Sequence, residues 1–209
     1  MNNLLGTDEF TLLKEMQHRM KNNLQLILSL INIQLSKDIR ETNKDFLSSL
    51  KQRIHSLSLI NNFLDHTFNE SYLDLGDLVE RIADNASEAY RKREDIIVMK
   101  YIESIKVDHQ LAIPIGLIVN EILTNAMKYA FQETGNAFKK NYCRIDVILR
   151  KNKGHYELII SDNGISLNND VKEKNIKSSG VKLVYNLVEQ IDGECLLDCS
   201  NGTTYKITF

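Results

Sequence analysis

Residues 111–131 read LAIPIGLIVNEILTNAMKYAF, an almost wholly apolar stretch until polar side chains enter its second half. Its length and composition predict a buried helix, with Pro114 in the first turn, where proline is tolerated. Glu121, Asn125 and Lys128 are spaced four and three residues apart, so they share one face of this helix. Buried carboxylate and amide groups need partners, and a divalent cation with nucleotide phosphates would supply them. The alternative is that the three side chains form the polar edge of an amphipathic helix.

The sequence around this helix predicts a mixed α and β domain that begins after a boundary near 69–76. Strands are predicted at 96–102, 145–149 and 156–161, helices at 78–90 and 180–191, and a closing hairpin of strands 194–199 and 203–209 around Asn201-Gly202.

Two loop motifs in this domain are candidates for ligand binding. Asp162-Asn163-Gly164 follows the strand 156–161 directly. A carboxylate there can accept a hydrogen bond from an exocyclic amine, and glycine lets the backbone approach a ring, although these residues also form a favoured turn. Gly180 opens a helix whose first N–H groups could bind phosphate oxygens, and the alternative is a simple helix start.

Two periodic helical segments precede the mixed domain. The first runs from a cap at Thr7 or Asp8 to about Ser36, and the second carries an apolar stripe from Leu47 to Phe68. Because one hairpin cannot bury both faces of that stripe, the pattern predicts a hairpin that dimerises through residues 7–68 into a four-helix bundle. Packing of the hairpin onto the rest of the chain is the alternative.

His18 lies on the first helix, away from its apolar stripe, so its imidazole is expected to stand in water with Asn22 one turn later. Neutral imidazole is a good nucleophile near neutral pH, and an exposed one can meet a second domain or another protein. The alternative is a surface histidine without a role.

Composition excludes several other classes of protein. The chain has 209 residues, 43% of them hydrophobic, which is enough for a sizeable core, and a net charge of −2 does not indicate a nucleic-acid or membrane-surface binder. Three cysteines predict buried thiols in a reducing compartment, with a structural zinc site as the second interpretation. No apolar run approaches the roughly 20 residues of a membrane span, and no secretory leader is recognisable, so a soluble, cytoplasmic protein is expected.

The order of these features resembles the sensor histidine kinases of two-component systems, in the subfamily whose phosphoacceptor motif reads His-Arg-x-Lys-Asn. The similarity spans nearly all of residues 11–209. It is carried by QHRMKNNLQ at 17–25, RIHSL at 53–57, the N box NEILTNAMKYAF at 120–131, the G1 box DNGI at 162–165, the glycine-rich box GVKLV at 180–184 and the closing strand GTTY at 202–205.

The resemblance implies an α+β protein of two domains. Residues 1–70 would form a dimerisation and phosphotransfer hairpin, and residues 71–209 a Bergerat-type ATP-binding sandwich with a mixed sheet and helices on one face. The implied function is an ATP-dependent kinase that phosphorylates its own His18 and passes the phosphoryl group to an aspartate of a response-regulator receiver domain. Phosphatase activity on that regulator would accompany it.

The resemblance also implies roles for single residues. Glu15 would orient the His18 ring or take its proton. Asn22, one turn after His18, would position water to dephosphorylate the receiver, and the alternative is that its amide is merely solvated. In the nucleotide site, Asn125 would be the Mg²⁺ ligand, Glu121 would lie near the metal, and Lys128 would face the phosphates of ATP. Asp162 would accept a hydrogen bond from the adenine amine, and Thr204 would support that pocket. Tyr129 and Val181 lie within the nucleotide boxes, and Gly164 and Gly180 would flank a lid at 165–179.

Three positions depart from the family pattern. Ser166 replaces a G1 glycine, which should stiffen the start of the lid, while Tyr129 and Asn61 stand where histidine is common. The chain begins 17 residues before His18, so a sensory input is expected from a partner or from outside this core.

Two other functions remain open at this point. One is a phosphorelay module with a degenerate ATP site, and the other is an ATPase or serine kinase of the same superfamily, as in the anti-sigma kinases.

Overall fold

The computed structural model describes residues 43–66, 72–90, 96–131, 142–165 and 179–209, and its later part is built on a mixed five-stranded sheet. In chain order the elements are α1 (Asn43–His66), β1 (Leu73–Asp74), α2 (Leu75–Ala89), β2 (Ile96–Ile102), β3 (Lys106–Val107), α3 (Ala112–Asn125), β4 (Cys143–Asn152), β5 (His155–Asp162), α4 (Ser179–Gln190), β6 (Glu194–Asp198) and β7 (Thr203–Thr208).

The strand order is β2-β4-β5-β7-β6, with β1 and β3 as a separate antiparallel pair. β2 and β4 run parallel, and the other neighbours in the large sheet are antiparallel. Inward side chains alternate along the strands, as in β4, where every second residue from Cys143 to Leu149 is buried. Helices α2, α3 and α4 pack on that face, which confirms the predicted α+β class and mixed sheet.

Helix α2 begins earlier than its apolar periodicity predicts. Asp74 caps it, because its carboxylate accepts hydrogen bonds from the backbone N–H groups of Gly76 at 2.9 Å and Asp77 at 3.4 Å. The helix therefore starts at Leu75 rather than at residue 78. The short ladder between β1 and β3 was not predicted, because two-residue strands carry no periodic signal.

Helix α3 is the core helix of the sandwich. It follows a single 3₁₀ turn (His109–Leu111) and continues into a π turn (Ala126–Ala130). By length and composition alone, the stretch His109–Ala130 could cross a membrane, with a mean hydropathy of 1.2. However, 72% of that apolar window is buried inside the protein, as expected for a core helix.

The structure divides into two units, Met1–Ile54 and His55–Phe209, and the division falls within α1. In the second unit, Ile60 of α1 packs against Gly116 of α3, where a Cβ would lie 2.7 Å from the Ile60 Cδ1 atom. The first predicted helix and residues 67–71 lie outside the described residues. The domain division at 70 and the dimeric bundle therefore stay predictions.

The opposite face of the sheet carries a charged cluster. Glu157, whose side chain is 3% exposed, contacts the Lys206 Nζ atom through Oε1 and the Arg150 guanidinium through Oε2, each at 2.8 Å. The hydrogen bond from Lys206, followed by that from Arg150, lowers the pKa of Glu157 to about 2. This carboxylate therefore stays ionised well below its usual pH range.

The three cysteines all lie in the described part of the chain and form no disulfide. Cys143 and Cys199 are buried and Cys195 is half-buried, in line with the prediction of buried thiols. Burial raises the pKa of Cys195 to about 11, so the thiolate is scarce near neutral pH. Among the residues that the structure describes, no three or more His, Cys, Asp or Glu side chains form a group that could hold a metal ion.

Candidate functional site

The C-terminal half of α3 carries the first group of predicted site residues. Glu121 is 7% exposed, and Asn125, one turn later, is half-buried. The Asn125 amide donates a long 3.5 Å hydrogen bond to Glu121 Oε1. Glu121 and Asn125 therefore share one face, as their spacing predicts, and a carboxylate and an amide lie side by side within an apolar helix.

Helix α4 approaches this pair at its N-terminus. A side chain at Gly180 would collide with the Glu121 carboxylate, and its Cβ would lie 2.9 Å from Asn125 Nδ2. Only glycine lets the first turn of α4, with its positive helix-dipole end, come this close to the carboxylate. The first wall of the site thus combines Glu121, Asn125 and the α4 N-terminus.

The chemistry of this wall fits a magnesium ion with phosphate groups. Mg²⁺ prefers oxygen ligands and usually combines one or two protein carboxylates or amide oxygens with substrate phosphates. Glu121 and Asn125 supply one carboxylate and one amide oxygen, and the N–H groups at the start of α4 suit phosphate oxygens.

Asp162 forms the second wall. It is the last residue of β5, it is 9% exposed, and its Oδ1 atom accepts hydrogen bonds from Gly164 N at 2.8 Å and Thr203 N at 3.3 Å. The bond to Gly164 closes an Asx turn, so the predicted turn is confirmed, and the Asp162 carboxylate is held within it. Backbone donors therefore fix the orientation of this carboxylate.

The two walls meet at the end of α3. Gly164 packs against the carbonyl of Ala130, where a Cβ would collide, and Ile165 N donates to Ala130 O at 2.7 Å. Ala130 is the last residue of the π turn that follows Asn125. The turn after β5 and the polar face of α3 are thus held at one end of the same helix.

The π turn itself carries Lys128 and Tyr129. Lys128 is half-buried, and Tyr129 is 57% exposed. The sequence predicted a continuous helix through both residues, and a π turn was not predicted because it has no periodic signature. Such turns are frequent at functional sites, and this one lies between the two walls.

The two threonines after Gly202 differ in their position. Thr203 pairs with Asp162, is 6% exposed and donates its N–H to the carboxylate. Thr204 pairs with Ser161, so its side chain lies on the opposite face of the sheet. The structure therefore brings Thr203 to the site and does not bring Thr204 there; the alternation with the buried Tyr205 and Ile207 could have shown this.

Sequence reasoning also missed Asn163 and Gly202. Gly202 has φ +92° and its α-carbon packs on the Asp162 carbonyl, so a side chain there would be both strained and obstructed. Asn163 uses both ends of its amide: Arg144 N donates to Oδ1 at 2.8 Å, and Nδ2 donates to the Tyr142 carbonyl at 3.1 Å. The glycine after Asn201 was a visible turn signal, whereas nothing in the sequence indicated the partners of Asn163.

The remaining predicted residues lie elsewhere. Val181 is 2% exposed, so its side chain belongs to the core and its backbone alone can face a ligand. His18, Glu15, Asn22 and Ser166 lie outside the described residues. Their roles stay predictions.

Two family models match the chain in succession. Residues 15–90 match a model described as histidine kinase, and residues 110–209 match one described as histidine kinase-, DNA gyrase B-, and HSP90-like ATPase. Together they account for most of the sequence, in the order that the motifs predicted.

Curated relatives agree with these matches. The blue-light-activated histidine kinase 2 of Erythrobacter litoralis is 29% identical over 199 residues, covering 93% of this chain and 55% of the relative. The sensor histidine kinase PdtaS of Mycobacterium tuberculosis is 20% identical over 182 residues, covering 87% and 35% respectively. The chain thus spans about half or less of the length of these relatives.

Solved structures show the same fold. The Erythrobacter litoralis EL346 blue-light activated histidine kinase superposes with a TM-score of 0.73 at 26% identity, covering 95% of this chain and 58% of that one. Its histidine kinase domain gives 0.67 at 22% identity, covering 89% and 95%. From its successive family matches and this fold, the chain belongs to the sensor histidine kinases of two-component signal transduction, with a histidine-kinase segment followed by an ATPase domain of the gyrase B and HSP90 type.

Proposed function

We propose that this protein is an ATP-dependent kinase that phosphorylates its own His18 and passes the phosphoryl group to an aspartate of a response-regulator receiver domain. The observation that carries the proposal is the meeting of two polar walls at the end of α3. One is Glu121 and Asn125 against the glycine-opened α4, and the other is the buried carboxylate of Asp162. Apolar packing alone would not assemble two such walls.

Each wall suits a different part of ATP. Asn125 and Glu121 would hold Mg²⁺, which neutralises charge on the phosphate oxygens when it is bound. Lys128 and the first N–H groups of α4 would face the phosphates. At the other end of the nucleotide, Asp162 would accept a hydrogen bond from the adenine amine, and the Thr203 N–H would hold the carboxylate in place.

The acceptor chemistry falls to the histidine motif. A neutral His18 imidazole nitrogen would attack the γ-phosphorus of ATP, forming an N–P bond as the P–O bond to ADP breaks and ADP leaves with the electron pair. Glu15, one turn before, would take the ring proton. In the second reaction a receiver carboxylate oxygen would attack the same phosphorus. The N–P bond would break with its electron pair returning to the ring nitrogen, and Glu15 would return the proton to the ring.

The partners follow from this chemistry. The hairpin at residues 7–68 would form a homodimer, and a response-regulator receiver would dock near His18. A sensory domain or protein would supply the input, and we expect a cytoplasmic location. Asn22, one turn beyond His18, would position the water that removes phosphate from the receiver aspartate.

Incubation of the full chain with γ-labelled ATP and Mg²⁺ tests the kinase directly. We expect an acid-labile, base-stable label that disappears in His18→Ala. The matched control is His155→Ala, because His155 begins β5 and lies at the opposite end of that strand from Asp162. Persistence of the label in His18→Ala, or its loss in both variants, would contradict the assignment of His18.

Other outcomes would favour the other functions. No label from ATP, but acceptance of phosphate from a phosphorylated receiver, would indicate a relay protein with a degenerate ATP site. An acid-stable label would indicate a serine kinase of the same superfamily. Asn22→Ala should weaken dephosphorylation of the receiver and leave autophosphorylation intact, and equal loss of both activities would reject the role of Asn22.

A further inference from the structure

Asn163 is the middle residue of the Asx turn that presents Asp162. Its side chain points away from the turn and forms hydrogen bonds with the first residues around β4, accepting from Arg144 N at 2.8 Å and donating to Tyr142 O at 3.1 Å. Its own backbone N–H adds a third bond, to Arg144 O at 3.1 Å. The amide thus satisfies one donor and one acceptor of the neighbouring strand at the same time.

The position of this side chain bears on the carboxylate beside it. The Asp162 Oδ1 atom is held by Gly164 N at 2.8 Å, and that N–H belongs to the peptide bond between Asn163 and Gly164. Rotation of the backbone at Asn163 would therefore turn the N–H that orients the carboxylate. Because Asn163 is tied to β4 at both ends of its amide, this rotation is restrained.

The other supports of the turn are packing and backbone contacts. Gly202 packs on the Asp162 carbonyl and beside the Asn163 Cα atom, and Gly164 and Ile165 contact Ala130 at the end of the π turn. The side-chain amide of Asn163 adds two hydrogen bonds that tie the centre of the turn to the start of β4.

We propose that Asn163 is a positioning residue for base recognition, which clamps the Asp162 turn to β4 and so sets the preference for adenine over hypoxanthine nucleotides. The inference rests on the proposed function, because Asp162 must read the exocyclic amine for its orientation to matter. Asn163 itself would touch no atom of the base. Its removal should therefore change selectivity more than overall binding.

The test measures the affinities of ADP and IDP for the full chain by calorimetry with Mg²⁺ present. Hypoxanthine carries a carbonyl oxygen where adenine carries the amine, and an N1–H where adenine has an unprotonated nitrogen, while the phosphates and charge of the two nucleotides are the same. The ratio of the two affinities thus reports the base contact alone, and effects on phosphate binding cancel. We expect the wild-type chain to prefer ADP by about tenfold or more, the difference of roughly one charge-assisted hydrogen bond.

Asn163→Ala should reduce the ratio of ADP to IDP affinity to about one third or less of its wild-type value. Asn163→Asp keeps the acceptor for Arg144 N, so its ratio should lie between those of the wild type and Asn163→Ala. The matched control is Asn201→Ala, an exposed asparagine in the neighbouring turn, which should keep the wild-type ratio. Thermal unfolding of each variant accompanies the titrations. If Asn163→Ala fails to fold, Asn163→Asp decides by the same criterion of a reduced ratio.

An unchanged ratio in a folded variant, even with weaker binding of both nucleotides, would overturn the inference and leave Asn163 a purely structural residue. A wild-type chain that binds both nucleotides equally would overturn the reading of the amine by Asp162, and this inference with it.

Discussion

Replacement of Asp162 by asparagine separates the role of its charge from its role in the turn. The Oδ1 atom accepts hydrogen bonds from Gly164 N at 2.8 Å and from Thr203 N at 3.3 Å. The asparagine oxygen can accept both bonds, so the Asx turn should persist. We expect a change in the free energy of unfolding of less than about 1 kcal/mol, because no buried backbone donor loses its acceptor.

The effect on nucleotide binding should be much larger. A hydrogen bond from the adenine amine to a carboxylate is worth about 1.5–3 kcal/mol, and the variant turns an N–H donor toward that amine instead. The affinity for ADP should therefore fall about 10- to 100-fold. Hypoxanthine carries an acceptor at the same position, so IDP should bind as tightly as ADP or more tightly.

Calorimetric titration of ADP and IDP into the wild-type chain and Asp162→Asn measures both effects, with thermal unfolding of each sample. The matched control is Asp198→Asn, because Asp198 also ends a strand and accepts a hydrogen bond from the residue two positions on, Ser200, at 3.0 Å. Unchanged ADP affinity in folded Asp162→Asn would refute the reasoning. Equal loss of ADP and IDP binding would show that the charge, and not the match to the amine, is what matters.

Three further predictions test other parts of the structure. Gly180→Ala should weaken Mg²⁺-dependent ADP binding about 10- to 100-fold, because the methyl group would displace Glu121. If the wild-type chain binds ADP with the same affinity with and without Mg²⁺, this prediction is contradicted. Gly116→Ala should cost about 1–3 kcal/mol in denaturant unfolding by overpacking Ile60, and Ile60→Val should recover part of it, whereas strict additivity would reject the contact. Glu157, whose pKa is lowered from 4.5 to about 2, stabilises the fold above its ordinary pKa and loses that contribution as pH falls from 4.5 toward 2. Glu157→Gln should therefore flatten the acid side of the stability profile, and an equally steep profile would contradict this.

Much of the fold was predictable because its long elements carry strong periodic signals. The predicted strand at 96–102 matches β2 residue for residue, and the closing hairpin forms around Asn201-Gly202 as expected. The shared face of Glu121 and Asn125 follows from helical spacing alone. The position of Asp162 at the end of a strand was equally visible, because a turn sequence directly follows an apolar run.

Other features of the site gave no such signal. The π turn after Asn125 depends on how the end of α3 packs against Gly164 and Ile165, which are distant in sequence. The choice between Thr203 and Thr204 did carry a signal, because Thr203 shares the face of β7 on which the apolar residues Tyr205 and Ile207 alternate.

By itself, the sequence determined which chemical groups this protein has and the local elements that carry them. Those elements follow from the spacing of apolar residues, which local geometry converts into helix faces and strand faces. Only the tertiary structure decided which groups meet: Gly180 against Glu121, Thr203 against Asp162, and Asn163 against the first residues of β4. These contacts join residues 19 to 59 positions apart, and at such separations packing between elements, and not periodicity within one, sets the neighbours.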